Sequence, residues 1–468
     1  MYDVVVIGAG PAGVNAAMRA AGLGARTALI TSGEFGGMAA NNGTVPVRTL
    51  AHAARLLREA RELHRYGIVG SQPQLDYARL LGRATEVVAD VRAHSAWRAD
   101  VDRLGVALFE RAGNVCFVDA HTVEAAGGRR LEASKFVICT GGTSRQLNVP
   151  GFDRTVTPGD ALGLRAVPES MLVIGAGATG AQVASIFNAF GSRIQLFQTA
   201  ARIIPTEDEE VSAAVAAAFR DLGIVIHEEF GEIESFEKTS NGVRMIYAKD
   251  GARKSADAAL AVVAAGWVVD AATLNLKALG VNTDSRGYVE VNDYLQTSVP
   301  HIFAAGDVNG GAMLVPQAIQ EGYIAGTNAV RGSTMPIGRE VRPIGSFTDP
   351  EYAQVGLTEA KARAAAHDVV VVKIPFDTTT RTIIDGQTIG FCKLVVDKRT
   401  SCILGCHIVG ERAVDVIQIV AVAITGGMSV DELARIPFSF PTYAGVIGRA
   451  AYRAARELGH DVGWARIH

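Results

Sequence analysis

Two copies of one glycine-rich pattern, one at the N-terminus and one in the middle of the chain, constrain the fold more than any other feature. In the first copy, residues 3–13 read DVVVIGAGPAG, and an alanine-rich helical pattern follows over residues 14–23. In the second copy, residues 171–180 read MLVIGAGATG, and a helical pattern follows over residues 181–190. An apolar run, closely spaced glycines and a helix are typical of a strand, tight turn and helix. One copy alone is weak evidence, but two copies in the same context predict two similar α/β folds.

The glycines of both copies suit a turn that binds a pyrophosphate. Small residues let the backbone approach the phosphate groups, and the first N–H groups of the helix point at them, favoured by the helix dipole. The alternative, glycines that serve only the turn, is disfavoured because the pattern recurs in the same context. We therefore predict two Rossmann-like dinucleotide sites, formed by Gly8, Gly10, Gly13, Gly175, Gly177 and Gly180.

Composition limits the number of domains and the kinds of partner that the chain can have. A chain of 468 residues with 49% hydrophobic content is large enough for two or three domains. Its 45 Lys and Arg against 48 Asp and Glu give a net charge of -3 without basic blocks, so we expect no nucleic-acid partner. The N-terminus runs directly into the first apolar strand, and no apolar stretch of about 18 residues follows. We therefore expect a cytoplasmic protein without a membrane span.

The cysteines disfavour two common roles. Five of them, scattered along the chain, are too few for a secreted disulfide framework or a paired zinc site; they are Cys116, Cys139, Cys392, Cys402 and Cys406. Cys402 and Cys406 lie in a β-rich segment, and we expect both to be small buried core residues rather than redox groups. The sequence predicts no metal site.

Two further strand patterns end in residues that suit a ligand site. One ends at Thr140 and Gly141, and the other ends at Gly306 and Asp307. Ligands of open α/β sheets bind at the carboxyl ends of strands, so Asp307 is a candidate binding carboxylate, although a solitary Asp there could instead cap a helix. From about residue 341, strands with glycine-rich turns precede helices, which predicts a separate α+β domain.

In this order, the motifs resemble those of the pyridine nucleotide-disulfide oxidoreductases, flavoproteins that include dihydrolipoamide dehydrogenase and glutathione reductase. The resemblance covers nearly the whole chain and includes the segment 314–326, LVPQAIQEGYIAG. It implies a homodimer in which the tail of the partner reaches the flavin. It also implies an FAD-binding domain over residues 1–150 and 270–340, an NAD(H)- or NADP(H)-binding domain over 151–269, and a dimerisation domain over 341–468.

The family's thiol chemistry is missing from this sequence. Residues 36–48 read GGMAANNGTVPVR, so that the two redox cysteines of the family correspond to Ala39 and Thr44. The family's C-terminal catalytic His and its partner Glu correspond to Phe440 and Gly445. Disulfide exchange requires a thiolate, so reduction of disulfide substrates is disfavoured. Thr44 and the wording TDSRG at 283–287 are also similar to soluble pyridine nucleotide transhydrogenases.

The resemblance also assigns candidate residues beside the flavin. The family's flavin-side lysine corresponds to Arg48, and the glutamate that pairs with it corresponds to Gln182. We expect Arg48, Gln182 and Thr44 to be catalytic, although Arg48 could instead form an ordinary helix salt bridge. A substrate pocket is expected at Ala39, Ala178, Phe440 and Gly445, enlarged by the small residues Ala39, Ala178 and Gly445. The alternative is a site closed by Met38, Phe440 and Tyr443.

The ribose-binding carboxylates of the family are altered in both folds. For FAD, the position is Thr31, with Glu34 as a possible substitute, and Gly37 completes the expected cofactor-binding set. For the nicotinamide dinucleotide, the position is Gln198, with Arg202 nearby. A carboxylate would select NAD and an arginine cluster NADP, so the preference stays open.

These observations predict an FAD-dependent NAD(P)H oxidoreductase. Hydride would pass from nicotinamide to flavin, and electrons would pass on to a non-disulfide acceptor, either NAD(P)+ as in transhydrogenases or a quinone-like small molecule. Two alternatives stay open: a specialised biosynthetic flavoenzyme, and a sensor that binds flavin and nucleotide without significant turnover. The intact second glycine pattern argues against a pure FAD-binding scaffold.

Overall fold

The computed structural model describes residues 1–94, 96–269, 273–338 and 341–463. The chain forms two compact units. The first unit contains Met1–Leu50, Asp76–Gln146 and Ala265–Arg339, and the second contains Ala51–Leu75, Leu147–Ala264 and Glu340–His468. The prediction of an α/β fold with two dinucleotide-type sheets is confirmed, whereas the domain boundaries given above stay a prediction.

The elements of the first half of the chain follow in order. Residues 1–146 form β1 Tyr2–Ile7, α1 Pro11–Gly22, β2 Thr27–Ile30, α2 Gly37–Asn41, α3 Thr44–Glu62, α4 Tyr77–Ala93, α5 Ala96–Arg103, β3 Ala107–Phe109, β4 Val115–Asp119, β5 Thr122–Ala125, β6 Arg130–Ile138 and β7 Thr143–Ser144. Residues 147–264 form α6 Pro158–Leu162, β8 Ser170–Ile174, α7 Ala178–Ala189, β9 Arg193–Phe197, α8 Glu209–Asp221, β10 Val225–His227, β11 Glu232–Thr239, β12 Gly242–Lys249, β13 Ala252–Ala258 and β14 Leu260–Val263.

The remaining elements are divided between the two units, with those before residue 339 in the first and those after it in the second. Residues 265–338 form β15 Trp267–Val268, β16 Ile302–Ala304 and α9 Val315–Arg331. The C-terminal part forms β17 Ile344–Ser346, β18 Tyr352–Gly356, α10 Glu359–Ala364, β19 Val369–Pro375, α11 Thr380–Ile384, β20 Phe391–Asp397, β21 Ile403–Val409, α12 Ala413–Thr425, α13 Val430–Ala434 and α14 Gly445–Glu457.

The first unit is built on a parallel sheet of order β3-β2-β1-β6, with β16 also paired to β6. The strands are almost wholly apolar because both faces of the sheet are covered. On one face α1 and α9 pack closely together. A Cβ added to Gly322 would lie 2.1 Å from the carbonyl oxygen of Ala12, and one added to Gly326 would lie 2.5 Å from that of Ala16. Glycine at both positions therefore lets the two helices approach.

The second unit contains a parallel sheet of order β10-β9-β8-β14, a meander β11-β12-β13, and a five-stranded antiparallel sheet of order β17-β18-β21-β20-β19. One face of the five-stranded sheet packs its apolar side chains, such as Leu394 and Ile408, against α12 and α14. The neighbouring positions Lys393 and His407 are also buried, and Lys393 contacts Asp208 at the start of α8. The first face is a hydrophobic core, and the second combines a small apolar cluster around Val395 with these buried polar residues.

Two sequence expectations can be compared directly with this fold. Cys406 is buried, as expected, but Cys402 is exposed, so the expectation of a buried core residue is wrong there. Cys402 lies outside the sheet, directly before β21 begins at Ile403. No helix within the described ranges is long and apolar enough to cross a membrane.

Candidate functional site

The first glycine turn has a backbone that only glycine permits. Gly8 has φ +105°, and a Cβ on it would lie 2.2 Å from the carbonyl oxygen of Cys139. A Cβ on Gly13 would lie 1.7 Å from the carbonyl oxygen of Gly8. Gly10 differs, because a Cβ there would meet no atom of the described chain within 4 Å. Two of the glycines therefore close the turn, and the third leaves the space that a pyrophosphate needs.

The helix after this turn begins without a side-chain cap. Gly10 is the N-cap of α1, and no described side chain accepts a hydrogen bond from the first turn. By contrast, the N-cap Asp76 of α4 accepts from the N–H of Arg79 at 3.0 Å. N–H groups without a side-chain cap and the helix dipole make the start of α1 suitable for a phosphate anion. The residues present thus fit the pyrophosphate of FAD.

Other predicted FAD residues lie around the same turn. A Cβ on Gly37 would lie 2.7 Å from the Cα of Gly10, so the start of α2 contacts the glycine turn directly. A Cβ on Gly306 would lie 3.0 Å from the Cβ of Ala12, at the start of α1. The structure therefore brings Gly37 and Gly306 to the first glycine turn, and their role in binding FAD stays a prediction.

The carboxylate of Asp307 lies at this sheet edge and is half-buried. Burial and the nearby charge of Glu321 raise the pKa of Asp307 above its usual value. A Cβ on Gly142 would lie 3.9 Å from the Cβ of Asp307, so the loop that contains Thr140 and Gly141 reaches the same place. The predicted set at the carboxyl ends of β6 and β16 is therefore assembled.

Glu321 was not predicted as a site residue, yet it organises this edge. Its carboxylate is buried and accepts hydrogen bonds from the N–H of Gly306 at 2.7 Å and from the Asn309 side chain at 2.8 Å. Gln317 donates to the other oxygen. The available signal was an acidic residue on the apolar face of the helical pattern 314–326. Glu321 thus fixes the backbone that presents Asp307.

The two residues expected at the adenosine ribose of FAD are Thr31 and Glu34, and neither is a free carboxylate. Thr31 follows β2 and is buried. Glu34 is held by Arg111, with N···O distances of 2.8 Å from Nε and 2.7 Å from Nη2. Arg111 was not among the predicted residues, because only the fold places it beside Glu34. Glu34 can therefore serve a ribose only as part of an ion pair.

The second glycine turn repeats the geometry of the first. Gly175 has φ +96°, and a Cβ on Gly180 would lie 1.8 Å from the carbonyl oxygen of Gly175. A Cβ on Gly177 would again meet nothing within 4 Å in the part of the chain that is described. Gly177 is the N-cap of α7, which also starts without a side-chain cap among described residues. This turn fits the pyrophosphate of a second dinucleotide.

The two predicted ribose residues of the second fold have different surroundings. Gln198 is buried directly after β9, and its side-chain oxygen accepts from the N–H of Thr199 at 3.0 Å. Arg202 donates from Nη2 to the carbonyl oxygen of Pro205 at 3.0 Å. Arg202 was a candidate for the ribose site only because it lies close to Gln198 in the sequence. In the structure, its guanidinium binds a backbone carbonyl.

The segment without cysteines forms α2 and the first turns of α3. Ala39 is half-buried, and Thr44 and Arg48 are exposed in the first two turns of α3. Asn41 fixes α2, because its side chain donates to the carbonyl oxygens of Phe35 at 3.1 Å and Gly37 at 2.8 Å. Local polar contacts therefore hold this segment without a disulfide.

The remaining predicted residues lie in the second unit. Gln182 donates to the carbonyl oxygen of Ala178 at 3.2 Å and accepts from the N–H of Phe347 at 3.4 Å. Phe440 is 74% exposed, and Gly445 is the first residue of α14. The Tyr443 hydroxyl donates to Asp385 at 3.0 Å. Their predicted roles in catalysis and in a substrate pocket stay predictions.

Comparison with known proteins agrees with this geometry. Residues 2–322 match the family model described as pyridine nucleotide-disulphide oxidoreductase, and residues 342–451 match its dimerisation domain. A mercuric reductase from Bacillus cereus is 33% identical over 442 residues, which are 92% of this chain and 68% of that protein. A dihydrolipoyl dehydrogenase from Zymomonas mobilis is 33% identical over 448 residues, which are 94% of this chain and 95% of that enzyme.

A solved structure shows the same architecture. The HOCl-induced flavoprotein disulfide reductase RclA from Escherichia coli matches with a TM-score of 0.85 and 25% identity, covering 96% of this chain and 99% of that one. The family models together span most of the sequence and the relatives match over nearly their whole length or more than two thirds of it. This chain therefore belongs to the pyridine nucleotide-disulphide oxidoreductases, a family of FAD- and NAD(P)H-dependent enzymes.

Proposed function

We propose that this protein is an NAD(P)H oxidoreductase that passes electrons from its flavin to a small acceptor other than a disulfide. One observation carries the proposal: both glycine turns are intact, whereas residues 36–48 contain no cysteine. An enzyme that reduces disulfides needs a thiolate that attacks its substrate. The chain therefore keeps the two glycine turns that we propose for dinucleotide binding, and it lacks the redox cysteines that disulfide reduction requires.

The buried and half-buried cysteines elsewhere are not expected to replace the missing pair. In the first unit, Cys139 contacts the glycine turn but is buried, and burial raises the pKa of its thiol far above the usual range. Cys116 lies on β4 and is half-buried. A thiol that stays protonated is a poor nucleophile. In the second unit, Cys392 and Cys406 are buried in the apolar face of the five-stranded sheet.

The chain's own residues would bind and orient the cofactors. FAD, when bound, would supply the redox chemistry between nicotinamide and acceptor. The uncapped starts of α1 and α7 would hold the two pyrophosphates, and Asp307 would bind a hydroxyl at the edge of the first sheet. We propose that the positive charge of Arg48 favours negative charge on the reduced cofactor, and that Thr44 and Gln182 contribute polar groups to catalysis.

The acceptor we propose is NAD(P)+ or a quinone-like molecule. The relatives include enzymes named mercuric reductase and a flavoprotein disulfide reductase, so a mercuric ion and a disulfide are the acceptors to test against it. A soft metal ion prefers thiolate ligands. Because residues 36–48 supply none, we expect neither acceptor to be used efficiently.

Anaerobic stopped-flow spectroscopy tests the proposal. The purified yellow protein is mixed with NADH or NADPH, and the flavin absorbance is followed. We expect bleaching, followed by return of the colour on adding thionicotinamide dinucleotide or a quinone, and no return with lipoamide or glutathione disulfide. Rapid reoxidation by a disulfide would overturn the proposal. Tight nucleotide binding without bleaching would favour the sensor alternative.

We also propose that the protein works as a homodimer. The match to the dimerisation domain over residues 342–451 supports this, and so does Phe440, a large aromatic side chain that is 74% exposed within one chain. An exposed aromatic of this kind is typical of an interface. Sedimentation equilibrium should give twice the 49.2 kDa mass of the chain.

A further inference from the structure

The end of β9 determines which nicotinamide dinucleotide the second fold can accept. In a Rossmann-type fold, the residue after the second strand faces the ribose, where a carboxylate binds the 2′-hydroxyl of NAD and an arginine accommodates the 2′-phosphate of NADP. Here that residue is Gln198, which is buried and neutral. Its side-chain oxygen is already bonded to the N–H of Thr199. Gln198 therefore offers no positive charge to a 2′-phosphate, and the charged residues around it decide whether another group can supply one.

Arg202 is the nearest arginine in the sequence, but its guanidinium belongs to the interior of the fold. Nη2 donates to the carbonyl oxygen of Pro205 at 3.0 Å, and Nη1 is buried without a hydrogen-bond partner among the described residues. Burial raises the pKa of the buried carboxyl of Glu207, and the charges of Lys361 and Arg202 oppose that rise. The positive charge of Arg202 therefore lowers the pKa of Glu207. A 2′-phosphate could recruit this guanidinium only by drawing it out of the interior and away from Pro205.

The segment beside Gln198 contributes two acidic residues. The N–H of Glu229 donates to the carbonyl oxygen of Ala200 at 3.1 Å, which places residues 228–230 next to the ribose-binding segment. Glu229 is exposed, and the carboxylate of Glu228 accepts from the N–H of Ile203 at 3.1 Å. A second phosphate charge would be placed near both carboxylates.

Two other cations of this region, Arg220 and Lys249, have partners. Arg220 donates to the Glu228 carboxylate at 3.1 Å, and Lys249 donates to the Glu228 carbonyl oxygen at 3.1 Å. A 2′-phosphate carries a charge of about -1.5 to -2 near neutral pH, as any phosphate monoester does. It would have to break one of these contacts to gain a counter-charge, whereas a 2′-hydroxyl needs only the Gln198 side chain.

We infer that this site selects NADH over NADPH, with Gln198 as the specificity-determining residue and Arg202 as a structural one. The inference depends on the proposed function, because it assumes that the second glycine turn binds a nicotinamide dinucleotide. It goes beyond that function by choosing one of the two coenzymes.

Isothermal titration of the FAD-loaded protein with NAD+ and NADP+ tests the inference, since the oxidised dinucleotides bind without reducing the flavin. We expect NADP+ to bind at least about tenfold more weakly than NAD+, as the loss of one hydrogen bond or counter-charge predicts. Equal or tighter binding of NADP+ overturns the inference and leaves the proposed function standing. Binding of neither dinucleotide overturns both.

Three variants locate the selectivity. Gln198→Arg should tighten NADP+ binding about tenfold by supplying a free phosphate partner, with NAD+ changed by less than about threefold. Arg193→Gln removes an exposed cation at the other end of β9 and should change neither affinity. Arg202→Gln should lower the melting temperature and leave the ratio of the two affinities unchanged. A selective loss of NADP+ binding in Arg202→Gln would show that Arg202 serves the phosphate, which contradicts the inference.

Discussion

The two glycine turns have nearly the same backbone, whereas the segments that follow their second strands are different. The first glycine has φ +105° in one turn and +96° in the other, and a Cβ on the third glycine would lie 1.7 Å or 1.8 Å from a backbone oxygen. After β2, however, an acid is paired with an arginine, and after β9, a neutral amide precedes an arginine bonded to backbone. We therefore expect backbone shape to determine phosphate binding in both folds, and side-chain partners to distinguish the two proposed ribose sites.

Substitution of the third glycine should have the largest effect, and it should separate the two folds. Gly13→Ala would force its Cβ against the backbone of Gly8, and Gly180→Ala would do the same at Gly175. No rotamer relieves such contacts, so we expect each dinucleotide affinity to fall by about 100-fold or more. The Gly13 variant should purify with little flavin colour. The Gly180 variant should stay yellow but fail to bind NAD+.

The matched control is Gly22→Ala, at the end of α1, where an added Cβ meets nothing within 4 Å among the described residues. Alanine favours a helix over glycine, so this variant should keep both cofactors and melt no lower than the parent. Flavin absorbance and calorimetric titration measure both outcomes. Loss of FAD from the Gly180 variant would show that the two turns are not independent.

The anchoring of the two folds also differs, and Lys393 tests that difference. In the first unit, α1 packs on α9 through glycine contacts. In the second unit, the buried Lys393 contacts Asp208 at 3.1 Å, Glu210 at 3.0 Å and Glu359 at 3.0 Å. Burial opposes its charge, but these hydrogen bonds raise the pKa of Lys393 above its usual value. Lys393→Met leaves the buried carboxylate of Asp208 without its cation and should cost about 3–5 kcal/mol of unfolding free energy.

Lys373→Met is the control for this variant. Lys373 also contacts Glu210, but its side chain is 47% exposed, so its loss should cost less than about 1 kcal/mol. Urea denaturation of both variants measures the difference. Equal losses of unfolding free energy in the two variants would mean that burial of Lys393 does not strengthen its ionic contacts.

The same contrast explains how far the sequence predicts the structure. The two glycine turns are predictable because φ angles or close contacts admit only glycine at four positions, which are Gly8, Gly13, Gly175 and Gly180. Glu321 was missed because its partner, the N–H of Gly306, becomes adjacent only when α9 packs beside β16. The start of α1 at Pro11 precedes the predicted helix, since proline suits the first turn of a helix. Side-chain partners such as Arg111 for Glu34 depend on tertiary packing and cannot be assigned from spacing.

The pH dependence of stability should reveal a buried carboxyl that was not predicted in the second fold. Burial raises the pKa of Glu207 from 4.5 to about 7. Its contribution to stability is therefore fully present below pH 4.5 and is lost as the pH rises through 7. Glu207→Gln removes this loss, so at pH 9 the variant should be more stable than the parent by about 2–3 kcal/mol, and near pH 4.5 the two should be similar.

Thermal melts of the parent and Glu207→Gln between about pH 5 and pH 9 measure this difference. Glu209→Gln, which changes an exposed acid on the first turn of α8, is the control and should show no such pH-dependent gain. If the melting temperatures of the parent and of Glu207→Gln run parallel across this range, the ionisation of Glu207 does not affect folding and the prediction is wrong.

The smallest effect is expected at the ribose edge of the first fold. Glu34→Gln breaks the ion pair with Arg111, whose side chain is 76% exposed, so the free energy of unfolding should change by less than about 1 kcal/mol. If Glu34 also binds the adenosine ribose of FAD, flavin affinity should fall by about tenfold while stability of the apoprotein hardly changes. Equilibrium dialysis of FAD separates the two quantities, and Glu124→Gln, which breaks an exposed pair with Arg130, controls for loss of charge alone. An unchanged FAD affinity would mean that phosphate contacts at the glycine turn suffice to hold the cofactor, and that the first fold has no charged ribose partner at this position.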